Sequence, residues 1–221
     1  MRVLILANGE PPSAGLARTT VGQHDLLIAT DGAAHSATVL GLTPDIICGD
    51  FDSADLEAVR RTYPTAEFVE TPDQNRADLE KALLLARQRG ATEVTLLGAG
   101  GGRVDHTLTT FALLLRYHRK VNLVLRHDGS AVRALSGSAD APASLRLATQ
   151  PGDTVSLIAF SPANRVTLSG VAWPLKDARL PVGTHGVSNV AQNDSVDMEV
   201  SKGALLVCHL YSEPLQLRRR R

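Results

Sequence analysis

The chain has 221 residues, with 43% hydrophobic and 21% charged side chains, which is enough apolar material for one large or two small cores. Lys plus Arg and Asp plus Glu each number 23, so no global field favours nucleic acid or an anionic membrane surface. No apolar run reaches the roughly 18 to 20 residues of a membrane span, VLILA near the start is too short for a secretory core, and the two cysteines lack metal-ligand spacing; together these set the expectation of a cytoplasmic protein with buried, reduced thiols.

In chain order, short apolar runs alternate with helical periods through the first half. The expected strands are Val3–Ala7, Leu26–Ala29, Ile46–Cys48, Glu67–Val69, Val94–Leu97 and Asn122–Leu125. Helices are expected at Ala33–Leu40, Ala54–Thr62, Arg76–Arg89 and Val104–Arg119; in the third, Leu79, Leu83 and Ala86 share one face and Gly90 follows as a stop. Such alternation predicts a mostly parallel sheet covered on both faces. After about His127 the pattern changes to β-like runs at Ala131–Leu135, Leu145–Ala148, Val155–Phe160, Arg165–Leu168, Ser195–Val200 and Ala204–Leu210, separated by turns such as Pro151–Asp153. This predicts an all-β sandwich, with the boundary near residues 127–140. The terminal run Arg218–Arg221 reads as a solvated end or a docking tag.

Polar clusters fall where the strands of the first half end, the place at which open α/β sheets bind ligands. Asp31 and Gly32 follow the second strand, and Asp50 and Asp52 follow the third. Asp73 and Asp78 follow the fourth, and Gly98–His106 follows the fifth. In an extended segment Asp50 and Asp52 share one side, roughly 6.5 to 7 Å apart, with Phe51 turned to the core. Carboxylates that close repel, and a hard divalent cation such as Mg²⁺ relieves the repulsion. Set against this, a lone Asp-x-Asp also occurs in surface turns, Ser53 is a helix-cap candidate, and Asp78 suits the first turn of a helix for its dipole alone. GAGGGR (Gly98–Arg103) offers backbone amides, a helix start and a forked cation to phosphate, but is neither a Walker loop nor a dinucleotide fingerprint. His106 reads as a phosphate or proton-transfer group or as a solvent-facing cap; His35 reads as peripheral. Trp173, the sole tryptophan, reads as core packing or as a stacking surface.

As a set, these motifs resemble the thiamin pyrophosphokinase family. DGAAH (Asp31–His35) stands for its Asp-Gly-Gly-Ala-Asn, and PDIICGDFDS (Pro44–Ser53) matches in full. DQNRADLEKAL (Asp73–Leu83) and GGRVDH (Gly101–His106) follow, then GVAWPL (Gly170–Leu175) and GVSNV (Gly186–Val190). The resemblance implies an N-terminal Rossmann-like α/β catalytic domain (1–130), a C-terminal β-sandwich (131–221) and a homodimer with shared sites. It implies Mg²⁺-dependent transfer of pyrophosphate from ATP to the hydroxyl of thiamin, giving thiamin diphosphate and AMP. A phosphate-ester hydrolase on the same acids and a non-catalytic sensor are the alternatives. Carried over, Asp50, Asp52, Asp73 and Asp78 would hold metal, with Asp50, Asp52 and Asp78 catalytic. Asp31, Gly32, Asp73, Gly101, Gly102, Arg103, Asp105 and His106 would hold ATP, and Trp173, Ser188 and Asn189 thiamin. Ala33, His35 and Ala77 depart from the family's glycine, asparagine and threonine.

Overall fold

The computed structural model describes residues 1–51 and 56–212. Its contacts divide the chain into two compact units, one of Met1–Leu113 with Arg119–His127, the other of Leu114–His118 with the chain from Asp128 on.

The first unit is a parallel sheet flanked by helices. Its strands are β1 (Arg2–Leu6), β2 (Leu26–Thr30), β3 (Ile46–Gly49), β4 (Glu67–Glu70), β5 (Glu93–Leu97) and β6 (Asn122–His127), in the order β4-β3-β2-β1-β5-β6. The inner strands are apolar without alternation, because both faces are covered: Val3 to Leu6 and Ile46 to Cys48 are nearly or fully inaccessible. Each such side chain contributes about 1.5–3 kcal/mol by leaving water. The helices are α1 (Ala14–Val21), α2 (Ala34–Leu40), α3 (Leu56–Thr62), α4 (Asp78–Gln88) and α5 (Val104–Tyr117), the last as far as Leu113. α4 packs on β1, β2 and β3 through Ala82, Leu83 and Ala86. The strand order reverses between β1 and β5, so the loops leaving these two strands splay apart and open a crevice.

α1 was not expected from the sequence. It has only Leu16, Ala17 and Thr20 buried in its eight residues, too few to register as a period, and it starts on Ser13, whose Oγ accepts the Leu16 N–H at 3.1 Å.

The second unit is an antiparallel sandwich organised by β13 (Ser195–Leu210), one 16-residue strand. Its first half pairs with β8 (Ala143–Ala148) and β10 (Ala163–Ser169), and β10 pairs with β11 (Leu175–Leu180). Its second half pairs with β7 (Ser130–Gly137) and β9 (Thr154–Ala159), and β9 pairs with β12 (Gly186–Val190). Val196, Met198 and Val200 from one half and Leu205 and Val207 from the other enter one core. The sequence suggested two strands here because Ser201, Lys202 and Gly203 interrupt the apolar pattern. Gly203 lies at φ +106°, and a Cβ on it would stand 2.6 Å from the Pro162 carbonyl, so only glycine lets the strand pass from one sheet to the other. β11 and β12 also escaped the pattern: half of β11 is the exposed Lys176, Asp177 and Arg179, and β12 is irregular in register.

Cys48 is buried and Cys208 is half-buried; both are free thiols. Among the described residues no helix is long and apolar enough to cross a membrane.

Candidate active site

A cavity of about 770 Å³ opens at the β1/β5 reversal. One wall is the loop after β5, Gly98–Arg103, and the start of α5; the opposite wall is Asp31 and Gly32 with the start of α4. Of the expected residues, Asp31, Gly32, Asp78, Gly101, Gly102, Arg103, Asp105 and His106 line it. Asp50 and Asp73 do not line it, and Asp52 and Ser53 lie outside the described residues.

Asp31 opens a 3-10 turn (Asp31–Ala33) at the tip of β2 and is 7% exposed. Its Oδ1 accepts the Gly32 N–H at 2.6 Å and its Oδ2 the Phe51 N–H at 3.1 Å. Burial raises its pKa above the ordinary aspartate value; the two amides oppose that and the charges of Asp78 and Asp50 reinforce it. The glycine of GDFDS has its reason here: a Cβ on Gly49 would collide with the Asp31 carboxyl. The same burial, with the charge of Asp31, pushes the Cys48 thiol up to about 12.

The expected spacing of Asp50 from Asp52 lies outside the described residues, while Phe51 is not in the extended conformation expected of it. It has φ +58°, a left-handed conformation that costs a bulky residue about 1–3 kcal/mol. The turn delivers its N–H to Asp31, while its half-buried ring meets Phe68 at a centroid distance of 6.0 Å rather than entering the core.

Asp50 and Asp78 come together through Lys81. The Lys81 Nζ is 3.0 Å from Asp78 Oδ1 and 3.5 Å from Asp50 Oδ2, and its side chain is only 5% exposed. Burial works against the ammonium, but hydrogen bonds and charges from Asp78 and Asp50 hold its pKa above the ordinary lysine value. The Gln74 amide also donates to Asp50 Oδ2 at 3.3 Å. Asp73 is drawn elsewhere: it accepts the Asn75 N–H at 2.9 Å and pairs with Arg76, and the Asn75 amide first among these lowers its pKa. Among the described residues no group of three or more His, Cys, Asp or Glu side chains is arranged to hold a metal ion.

On the other wall, Gly101 lies at φ +72° with its missing side chain facing Glu10. The loop after β1 is zipped to the glycine loop by Gly9 N–H to Gly98 O, 2.6 Å, and Glu10 N–H to Gly100 O, 2.9 Å. The buried Thr110 hydroxyl ties α5 to the same loop through the Ala99 carbonyl at 2.6 Å. Arg103 makes a forked pair with Asp105, Nε–Oδ1 3.1 Å and Nη2–Oδ2 2.6 Å, both side chains being mostly exposed. That pair, with the His106 amide, brings the Asp105 carboxyl down to about 2. Asn8, Gly9 and Glu10 were missed by the sequence reading, although NGE ends β1 just as the other polar clusters end their strands. Lys81 was also missed; its spacing of three from Asp78 was the available signal.

The departures from the family pattern have local accounts. Ala33 sits at φ −88°, where no glycine is required. His35 is exposed and lines no part of the cavity. Ala77 holds the N-cap position of α4 with no side-chain hydrogen bond.

In the second unit, Asn189 is 8% exposed and its amide is spent on main chain. Its Oδ1 accepts Trp173 N–H at 3.1 Å and Val190 N–H at 3.0 Å, and its Nδ2 donates to Trp173 O at 2.6 Å. Trp173 is therefore held by its backbone and is 64% exposed as a residue, not packed in the sandwich core. Ser188 adopts φ +65° and its N–H donates to Ser156 Oγ at 2.9 Å.

Comparison with known proteins agrees across both units. A family model described as thiamin pyrophosphokinase, catalytic domain, matches residues 17–125, and one described as thiamin pyrophosphokinase, vitamin B1 binding domain, matches residues 144–205. Thiamin pyrophosphokinase 1 of Caenorhabditis elegans is 33% identical over 125 residues, 52% of this chain and half the length of that relative. Thiamine pyrophosphokinase 1 of Oryza sativa subsp. japonica is 28% identical over 206 residues, 88% of this chain and 74% of the relative. The crystal structure of thiamine pyrophosphokinase from Bacillus subtilis shares the fold, with a TM-score of 0.82 over 96% of this chain and 100% of that one at 21% identity. Two models of one family cover most of the sequence in the order its strand-end motifs follow, and the chain belongs to the thiamin pyrophosphokinase family.

Proposed function

We propose that this chain is a thiamin diphosphokinase, which moves the terminal pyrophosphate of ATP to the hydroxyl of thiamin and releases AMP. The observation that carries the reading is the cavity at the β1/β5 reversal, with a glycine loop, Arg103 and a helix start on one wall and Asp31 and Asp78 on the other. Its volume suits a nucleotide.

The chemistry is phosphoryl-type transfer, in which positioning and charge neutralisation do most of the catalysis. Gly101 and Gly102 let the main chain approach phosphate, the start of α5 offers its positive end, and Arg103 exchanges Asp105 for a phosphate oxygen. Asp105 and His106 border the same end of the nucleotide, and Asp31 holds the β2 and β3 tips in register. The cavity wall bears Glu10, Asp31, Asp78 and Asp105 against one arginine, so a polyphosphate needs an added cation to enter it.

Mg²⁺ fits this requirement: Asp50 and Asp78 already converge on one cationic nitrogen and offer hard oxygen donors. They, with Asp52 and with Asp73 released from Arg76, would hold the ion. Held there, it would supply positive charge to neutralise the polyphosphate and the charge developing on the leaving AMP. The exposed Trp173 ring offers a face to the cationic thiazolium, flanked by Ser188 and Asn189. The reading extends to a homodimer with each site shared between two copies, as the family resemblance implies, to a cytoplasmic location, and to a catalytic domain of residues 1–130 followed by a thiamin-binding, dimer-forming domain of residues 131–221.

Incubation with Mg-ATP and thiamin tests the reading. AMP and thiamin diphosphate in equal amounts are expected. ADP or phosphate formed without thiamin would instead indicate a hydrolase, and binding without turnover a sensor.

A further inference from the structure

We infer that Lys81 is a resident cation of the acid cluster, standing between Asp50 and Asp78 until metal and nucleotide arrive together, so that the bare ion is not captured alone. The inference rests on the reading of this site as one for Mg-ATP.

Lysine is almost never this buried unless paired. Here the ammonium is 3.0 Å from a carboxylate on its own helix and 3.5 Å from one on the loop after β3. A helix-surface pair at this spacing is worth little. Lys81 differs because its side chain is 5% exposed and because it joins two elements. Without it, the charges of Asp50 and Asp78 would lie near each other and near the buried Asp31 with no ammonium between them. It therefore supplies the charge that a metal would supply, at the place where the proposed metal carboxylates converge.

Two consequences follow. A divalent ion competing for Asp50 and Asp78 is repelled by the ammonium unless that group moves or finds a new partner, and a phosphate oxygen is such a partner. Nucleotide thus converts Lys81 from a competitor into a second ligand of the polyphosphate, which couples ion binding to nucleotide binding. Lys81 is in this sense a positioning residue, acting on the carboxylates before the substrate is present.

The test is Mn²⁺ binding followed by electron paramagnetic resonance, with and without α,β-methylene-ATP, on wild type, Lys81→Met and Lys81→Gln. Wild type is expected to bind Mn²⁺ weakly alone and much more tightly with the analogue. Without nucleotide, both variants are expected to bind Mn²⁺ at least about tenfold more tightly than wild type, and their melting temperatures in chelator to fall and recover on adding Mn²⁺. Equal or weaker Mn²⁺ binding by the folded variants overturns the inference. So does a wild type that binds Mn²⁺ as tightly without the analogue as with it, an outcome that needs no variant. If Lys81→Met does not fold, Lys81→Gln, one atom shorter but with a polar head, carries the comparison. A wild type that makes no AMP from Mg-ATP and thiamin counts against the functional reading, while the nucleotide-free Mn²⁺ comparison still decides the place of Lys81.

Discussion

The two walls of the cavity are built in opposite ways. On the acid wall both lining aspartates are already engaged: Asp31 by two amides in a space left by Gly49, and Asp78 by a buried ammonium that also pairs with Asp50, which does not line the cavity. On the glycine wall the one arginine is mostly exposed and, among the described residues, its side chain is tied to its neighbour Asp105 alone. The acid wall is organised by burial and is expensive to disturb. The glycine wall is organised by backbone alone and leaves its cation free to change partners at little cost.

The largest effect is expected where that burial is tightest. Gly49→Ala places a methyl group on the Asp31 carboxyl and should cost about 1–3 kcal/mol, seen in denaturant unfolding, with loss of AMP formation. A fully stable Gly49→Ala would show the acid wall to be less crowded than described. Asp50→Asn should keep the fold but lower Mg-dependent turnover about 100-fold or more; activity within a few-fold of wild type would remove Asp50 from the metal set. On the other wall, Arg103→Gln should leave the melting temperature within the scatter of a surface change while raising the KM for ATP about tenfold. A fall in stability as large as that of Gly49→Ala would erase the contrast.

Smaller effects sharpen it. Ala77→Thr supplies the missing cap of α4 and should add about 1 kcal/mol to stability in thermal melts. The raised pKa of Asp31 gives a signed test: its charge costs nothing below the unfolded value and destabilises progressively as pH rises through the folded value. Wild type should therefore gain stability relative to Asp31→Asn as pH falls towards 4, and a pH-independent difference would mean that Asp31 is not strained by its burial.

The sequence made the parallel sheet legible because its strands are continuous apolar runs, and it made the cavity legible because polar clusters end those runs. What escaped depends on contacts distant in sequence or on the sign of a dihedral. Phe51 looks like a core residue in any pattern, and only the amide demand of Asp31, twenty positions earlier, explains why it turns. Gly49 looks like a turn former, yet its reason is the same carboxylate. Lys81 reads as the polar face of a helix until Asp50 arrives from another loop. Trp173 could not be assigned to core or surface from composition, because its fate is set by the main-chain bonds of Asn189.

The continuity of β13 has a consequence for how the second unit comes apart. A strand that serves both sheets leaves neither able to peel away alone: releasing its first half exposes Val196, Met198 and Val200 from the core that Leu205 and Val207 also fill. At its far end His209 is locked to the inaccessible Asp153 at 2.7 Å, and Asp153 also accepts the Ser212 N–H and hydroxyl. Amide protons on β8 and β10 should accordingly exchange with solvent at the same opening free energy as those on β7 and β9, as one cooperative unit rather than two.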